Sequence, residues 1–520
     1  IVFNYNIIMN NEESSDLIGQ RKIRIEKAEK LRELGFDPYP AKSNRTHLAG
    51  DIKSNFENLE NETVTIDGRL MGWREHGALI FGDLREQSGN IQLYIKQDEI
   101  EPTNVENGNL GFDNLNLLDI GDFVEVTGYV TKTQRGEISV CPKQIKILEK
   151  SIRPVPTEIE DKEERFRRRY LDMTIHPEVR ARFERRAAFW QAHRDFFNER
   201  GFFEVNIPIL EHIPGGGDAV PFKTHMNAIS EDFYLRISHE LPLKRLIGGG
   251  FEKVYDIGAR FRNEGLSDEH LPEHVAMEFY WAYADWRDGM NMIRDLFNHI
   301  IEKVYEGNHI FNIRGFEVDF SKDWEEIDFN NIMRERFGIE DVYSVSLEEV
   351  VKLLKENNID FDEKTISVPR GVDSLWKQVR KTIAGPAFLV NHPKYLSPLQ
   401  KPSLENPNMV ERFQPIIAGS ELGNGWSEVN DAIDQYNRFI EQQELRDSGD
   451  DEAQWLDIDY VEMLEYGMPP TFGYGHSERV FWFLEDVTAR EGVPFPQLKY
   501  SVSDTTKKIY PEVDLEDIKN

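Results

Sequence analysis

Hydrophobic and polar positions change period several times along this chain, and each change marks a different kind of element. Between residues 21 and 37, Ile25, Ala28, Leu31 and Leu34 recur at helical spacing, and Gly35, Pro38 and Pro40 follow. That pattern predicts an amphipathic packing arm stopped by glycine and proline. From Val64 to Leu148 the period drops to two, in short runs separated by Gly68, Gly72, Gly77, Gly82, Gly89, Gly121, Gly128 and Gly136, which read as turns. Strands of this number and spacing predict a five-stranded barrel of the OB class.

Pro154 and Pro156 then lead into the charged run Glu158 to Glu164, after which longer helical and strand segments continue to about Lys499. The expected division is a flexible segment over 1–20, a helical arm over 21–60, the barrel over 61–150, a linker over 151–179, a second domain over 180–500 and a loose tail over 501–520. Helical patterns of their own, including Leu347 to Leu354, mark about 302–385 as a subdomain inserted in the second domain.

Chemistry concentrates at 253–281. Lys253, Tyr255, Ile257, Ala259 and Phe261 alternate with Val254, Asp256, Gly258, Arg260, Arg262 and Glu264. After a turn at 263–267, Val275, Met277, Phe279 and Trp281 alternate with His274, Ala276, Glu278 and Tyr280. This parity predicts an antiparallel pair with one mainly apolar face and one face of guanidinium, carboxylate, phenol and imidazole groups. Arginine forks suit phosphates and carboxylates suit amines, so the polar face can floor a site for a phosphate-bearing substrate. On parity alone, a salt-bridged sheet face is an equal reading.

The 520 residues suffice for two or three domains with sizeable cores. Cys141 is the only cysteine, which excludes an intrachain disulfide and a cysteine-built zinc site and fits a reducing cytoplasm. No apolar run reaches membrane-spanning length, so no membrane partner is expected; Ile1 to Met9 is mildly apolar, and Met9 is a candidate true start. A net charge of −32 opposes general nucleic-acid binding, so no DNA partner is expected and any RNA contact must be local. Arg165 to Arg169 and Arg180 to Arg186 are candidate RNA patches, with a charged helix pair between domains as the equal alternative.

Phe261-Arg262-Asn263-Glu264-Gly265, His270, Glu278-Phe279-Tyr280 and Ala282-Tyr283-Ala284-Asp285 together resemble motif 2 of the class II aminoacyl-tRNA synthetases, the lysyl members above all. Gly473 to Val480, with Arg479, looks like motif 3, a glycine turn entering a helix whose start suits an anion. Gly201 to Pro208 looks like motif 1, and the resemblance runs from about Arg21 to about Lys499. It implies an α+β fold, with an N-terminal OB-fold barrel that binds the anticodon and a catalytic domain of antiparallel sheet flanked by helices. It also implies a homodimer that activates L-lysine with ATP and Mg2+ and passes the lysyl group to tRNA(Lys).

By the same resemblance Arg262 clamps the α-phosphate and the substrate carboxylate, Glu264 touches the adenine amino group, His274 stacks on adenine, His270 reaches the outer phosphates and Arg479 holds the γ-phosphate. Glu240 and the Gly216 backbone take the α-amine, Glu278, Tyr280 and Glu428 hold the ε-amine, and Asn424 assists at the carboxylate. Phe81 stacks on the central anticodon base, Gln92 reads its edge and Glu137 adds a contact. Glu421 and Gln414 are the metal candidates, although Glu421 has the opposite strand parity to Asn424 and Glu428 and needs a bend at Gly423 or Gly425. Charge adds its own argument. Three buried carboxylates at 240, 278 and 428 would be costly without a cation, and lysine brings two ammonium groups.

Four departures weaken the carry-over. Motif 3 is one residue short before Arg479, with His476, Ser477 and Glu478 where glycine, an aliphatic and aspartate are usual; Glu269 stands for an arginine, His274 for a phenylalanine and Gln414 for a carboxylate. They keep open a non-catalytic synthetase-like protein that binds lysine, ATP or RNA. A ligase that lysylates protein is disfavoured by the barrel, and an aspartate or asparagine enzyme by the three glutamates.

Overall fold

The computed structural model describes residues 13–217, 219–363, 365–397, 399–447 and 453–512, and the chain forms two compact units, 1–160 with 499–520, and 161–498. Of the expected flexible segment, residues 1–12 lie outside the described residues, and helix α1 (Glu13–Glu33) begins within the rest of it.

In the first unit α1 buries Arg24, Ala28 and Leu31, whereas Leu34 lies past the helix end and is exposed. Arg24 is tolerated in the buried stripe because its guanidinium donates to the carbonyls of Ile120 and Ser151. Strands β1 (Thr63–His76), β2 (Leu79–Glu86), β3 (Gly89–Lys96), β4 (Phe123–Lys132) and β5 (Ile138–Glu149) close a barrel in the order β1-β2-β3-β5-β4. Val64, Ile66, Leu84, Leu93, Val126 and Val140 fill it. Gly77, Gly121 and Gly136 do sit at positive φ between strands, and Gly89, also at positive φ, opens β3. Gly68, Gly72, Gly82 and Gly128 instead lie inside strands. A Cβ on Gly68 would come 2.6 Å from the Arg85 carbonyl oxygen and one on Gly128 2.1 Å from that of Cys141, so these glycines permit close strand approach. The tail is not loose throughout, since Asp504–Ile509 is helical and the Arg21 guanidinium lies over the Tyr510 ring; residues 513–520 lie outside the described residues.

The second unit begins inside the expected linker, with helices Lys162–Arg167 and Arg169–Ile175. Its nine-stranded sheet runs, edge to edge, through Glu325–Asp328, Ala387–Val390, Arg412–Ile417, Asn424–Ser427, Thr471–Ser477, Glu273–Ala282, Lys253–Phe261 and Phe203–Glu204, with Ser420–Glu421 pairing onto Arg412–Ile417. One face packs against helices Pro177–Glu199 and Trp286–Val304 through Phe189, Phe197, Met277, Phe279, Phe297 and Phe472. The stretch 302–385 contributes the first edge strand and three helices, Phe329–Phe337, Leu347–Glu356 and Val368–Arg380. Their core of Met333, Leu354, Leu375 and Trp376 is shared with Ala387, Leu389 and Ile416, so the insertion extends the sheet.

The arginine runs are ion-paired within this unit. Arg165 and buried Arg169 hold Asp172, Arg182 and Arg185 hold Glu485, and Arg186 holds Glu478. These pairs support the charged-helix reading over direct RNA contact, inside one unit.

Candidate active site

Strands Lys253–Phe261 and Glu273–Ala282 pair antiparallel, with Asp256 opposite Glu278 and Arg260 opposite His274. The loop between them spans 262–272, longer than the expected turn. Tyr255, Ile257, Met277 and Phe279 enter the core, and the opposite face opens on a cavity of about 370 Å3.

Among the residues that line that cavity are Gly216, Ser238, Glu240, Glu278, Tyr280 and Asn424. Gly216 has φ +81°, and a Cβ there would lie 2.6 Å from Cβ of Glu240, so backbone and carboxylate can adjoin only with glycine. Glu278 accepts from the Ser238 hydroxyl at 2.9 Å and the His239 backbone N–H at 3.2 Å. Burial would raise its carboxyl, but His239 and Arg260 outweigh that and hold it below the usual range. Asn424 accepts from Arg412 at 2.9 Å. Glu428 does not line the cavity.

Glu428 lies behind the wall, bound to a residue that sequence reasoning missed. Lys244 Nζ is 2.5 Å from Glu240 Oε1 and 2.5 Å from Glu428 Oε2, fully buried. The substrate is therefore not the sole source of positive charge for the three glutamates, contrary to expectation, because Lys244 meets two of them and Arg260 lies beside Glu278. The signal was present in the helix Glu240–Gly248, where positions 240 and 244 are one turn apart. Arg260 was also left without a role. Its Nε donates to His274 Nε2 at 2.8 Å, its Nη1 lies 3.6 Å from Glu278, and it lines both this cavity and the next. Burial and neighbouring Arg262 push its guanidinium down to about 9.

The adjoining cavity, about 100 Å3, is walled by Arg260, Arg262, Glu264, Glu269, His270, His274 and Arg479, among others. His274 donates from Nδ1 to the Leu271 carbonyl while Nε2 accepts from Arg260, so the ring is neutral and fixed, and burial lowers its pKa well below the ordinary value. His270 pairs with the Ser267 hydroxyl at 2.8 Å. Buried Arg262 Nε has no hydrogen-bond partner in the protein, which leaves donor capacity for an anion.

The motif 3 stretch is corrected. Residues 471–477 form a central strand, with Glu278 opposite Gly475 and Tyr280 opposite Gly473. Its glycines make room for side chains: a Cβ on Gly473 would lie 2.2 Å from Glu428 Oε1 and 2.4 Å from Tyr280 Cε1, and one on Gly475 2.8 Å from Glu278 Cγ. The helix that follows, Arg479–Leu484, is a short turn, and Arg479 works through its guanidinium.

On the barrel, Phe81 and Gln92 point outward from β2 and β3, away from the core. Phe81 stacks on Tyr94 with centroids 5.3 Å apart, and the Ser139 hydroxyl lies 3.1 Å from Gln92 Oε1 and 3.3 Å from the Glu137 carbonyl oxygen. The three candidate anticodon residues thus sit on neighbouring strands β2, β3 and the entry to β5.

Residues 161–499 match the family model for class II tRNA synthetases (D, K and N), and residues 64–148 match that of the OB-fold nucleic acid binding domain. The chain belongs to the class II aminoacyl-tRNA synthetases. Among its relatives are the Lysine--tRNA ligases of Fervidobacterium nodosum, 41% identical over 92% of this chain and 94% of the relative, and of Thermotoga maritima, 38% identical over 92% and 95%. That of Roseiflexus castenholzii is 41% identical over 92% and 98%.

All four departures from the synthetase pattern find partners, His274 with Arg260 and the Leu271 carbonyl as described above. His476 faces the core, donating from Nε2 to His193 Nε2 at 2.9 Å and accepting at Nδ1 from the Tyr474 hydroxyl at 3.2 Å. Glu478 accepts from Arg186 and from the Val275 N–H. Glu269 accepts from Arg479 Nε at 3.0 Å and pairs with Arg314 at 3.2 Å, so a carboxylate covers the guanidinium expected to meet the γ-phosphate. Gln414 does not offer its oxygen beside Glu421, as expected. Its Oε1 accepts from His392 at 2.8 Å and its amide donates to Glu421 Oε2 at 3.2 Å. Glu421 does reach the cavity, on its own short strand, and its Oε1 accepts from Trp376 at 2.6 Å. Glu421 thus offers the cavity one carboxylate, hydrogen-bonded through both oxygens, so a magnesium ion there would rest mainly on the phosphates of the nucleotide.

Proposed function

We propose that the chain is a lysine-tRNA ligase. It condenses L-lysine with ATP to lysyl-adenylate and then charges the 3′ end of tRNA(Lys). The observation that carries this reading is one cavity lined both by acids, Glu240 and Glu278, and by guanidinium groups, Arg260, Arg262 and Arg479, a set that suits amines and phosphates together. The near-complete alignment with Lysine--tRNA ligases supports the same amino acid.

In this reading a lysine carboxylate oxygen attacks the α-phosphorus, the bond to the β-phosphate oxygen breaks, and pyrophosphate leaves. A terminal ribose hydroxyl of the tRNA then attacks the lysyl carbonyl and AMP departs. Arg262 stabilises the charge on the α-phosphoryl group, with His270 and Arg479 on the outer phosphates and Glu264 and His274 at the base. Glu240, Gly216 and Asn424 orient the α-carbon groups; Glu278, Tyr280 and, from behind, Glu428 hold the ε-amine. Magnesium would enter with the nucleotide, and no step above runs through it. Phe81, Gln92 and Glu137 would receive the anticodon by stacking and edge contacts. Exposed Phe203 on the outer edge strand supports a homodimer through the motif 1 region, and the reading places the enzyme in the cytoplasm.

Charging assays with labelled amino acids test this proposal. Lysine should be esterified to tRNA, with Glu428→Gln raising the lysine KM; charging with aspartate or asparagine in its place would refute it.

A further inference from the structure

The resident lysine of the amino-acid pocket has no role in the proposed chemistry, yet its surroundings are specific. Glu240, Lys244 and Glu428 have side chains at most 2% exposed, and the Tyr460 and Tyr280 rings stand 5.7 Å and 6.0 Å from the ammonium. Two carboxyl groups share one ammonium. The third acid, Glu278, faces the Arg260 guanidinium at 3.6 Å. Three carboxylates thus face two cations on this wall, while Arg262 lines the same cavity. Free lysine, with two ammonium groups and one carboxylate, can divide between the acids and that guanidinium. Burial raises both carboxyls and, although it opposes the charged form of Lys244 too, the two carboxylates hold its ammonium protonated. The ion pairs also tie the helix Glu240–Gly248 to the residue that follows strand Asn424–Ser427.

We propose that Lys244 is a specificity-determining residue: by bridging Glu240 and Glu428 it fixes their spacing and offsets one of their charges, so that the acids favour a singly cationic amino acid over a dicationic ligand. This rests on the lysine reading above. Without Lys244 the pocket loses one positive charge, which disfavours a ligand that brings its own carboxylate relative to a simple diamine.

The test is ATP-pyrophosphate exchange by the full chain and its Lys244→Met variant, with 1,5-diaminopentane as competitor. The variant should raise the lysine KM at least about tenfold while the ATP KM stays within about twofold. The ratio of the diamine inhibition constant to the lysine KM should fall by at least about tenfold. An unchanged lysine KM, an ATP KM that rises in step, or an unchanged ratio overturns the proposal. Should Lys244→Met not fold, Lys244→Ala is assayed with added methylammonium: saturable recovery of the lysine KM supports the proposal and its absence overturns it. If the unmodified chain exchanges with a different amino acid, the lysine reading itself fails and the charge match with it, an outcome the wild-type assay separates from failure of Lys244 alone.

Discussion

The barrel and the catalytic sheet both sort their residues by strand parity, yet they use the polar face in opposite ways. On β2 and β3 the outward side chains are half-buried, Phe81 stacking on Tyr94 and Gln92 bonding to Ser139, and leave the hydrophobic filling untouched. On the sheet the polar face is itself interior, with Glu240 and Glu428 1% and Glu278 5% exposed. A polar residue on an outer face can be changed alone. A charge on a buried face belongs to a group, so its removal leaves a partner uncompensated.

The largest effect that contrast anticipates is at Arg262, one of three guanidinium groups that line both cavities. Arg262→Ala should slow ATP-pyrophosphate exchange by about 10²–10³-fold, the usual cost of deleting one charge-stabilising donor. A loss under tenfold would mean that Arg260 or another group carries the α-phosphate. Gly473→Ala should come next, because its Cβ would collide with Glu428 and Tyr280. Destabilisation by about 1–3 kcal/mol, read from denaturant melts, and a raised lysine KM are expected; unchanged values for both would show that the pocket side chains are free to move. Phe81→Ala sharpens the other side of the comparison. Loss of one base-stacking contact should weaken tRNA binding by about 1–2 kcal/mol, visible in the tRNA KM, while exchange without tRNA is unaltered. A change in exchange would contradict a purely outward role.

Much of this was legible before the structure. Parity at 253–281 located the polar floor, glycine-punctuated alternation located the barrel, and motif 2 placed Arg262, Glu264, His270, Glu278 and Tyr280 on one site. What parity could not supply was the partner of each charge. Lys244 is a helical turn from Glu240 but meets Glu428 only through the fold. Gly473 and Gly475 looked like a turn because sequence shows missing side chains, not the neighbouring ones that fill their places. The Gln414 amide, read as a metal donor, is oriented by His392, which pairs with it only across the sheet.

The central claim is that the buried acids of this site select a cationic amino acid and hand its carboxylate to Arg262. ATP-pyrophosphate exchange by the full chain with each of the twenty amino acids tests it most directly. Exchange with lysine alone is the expected result; exchange with aspartate or asparagine, or with no amino acid at all, would contradict the account.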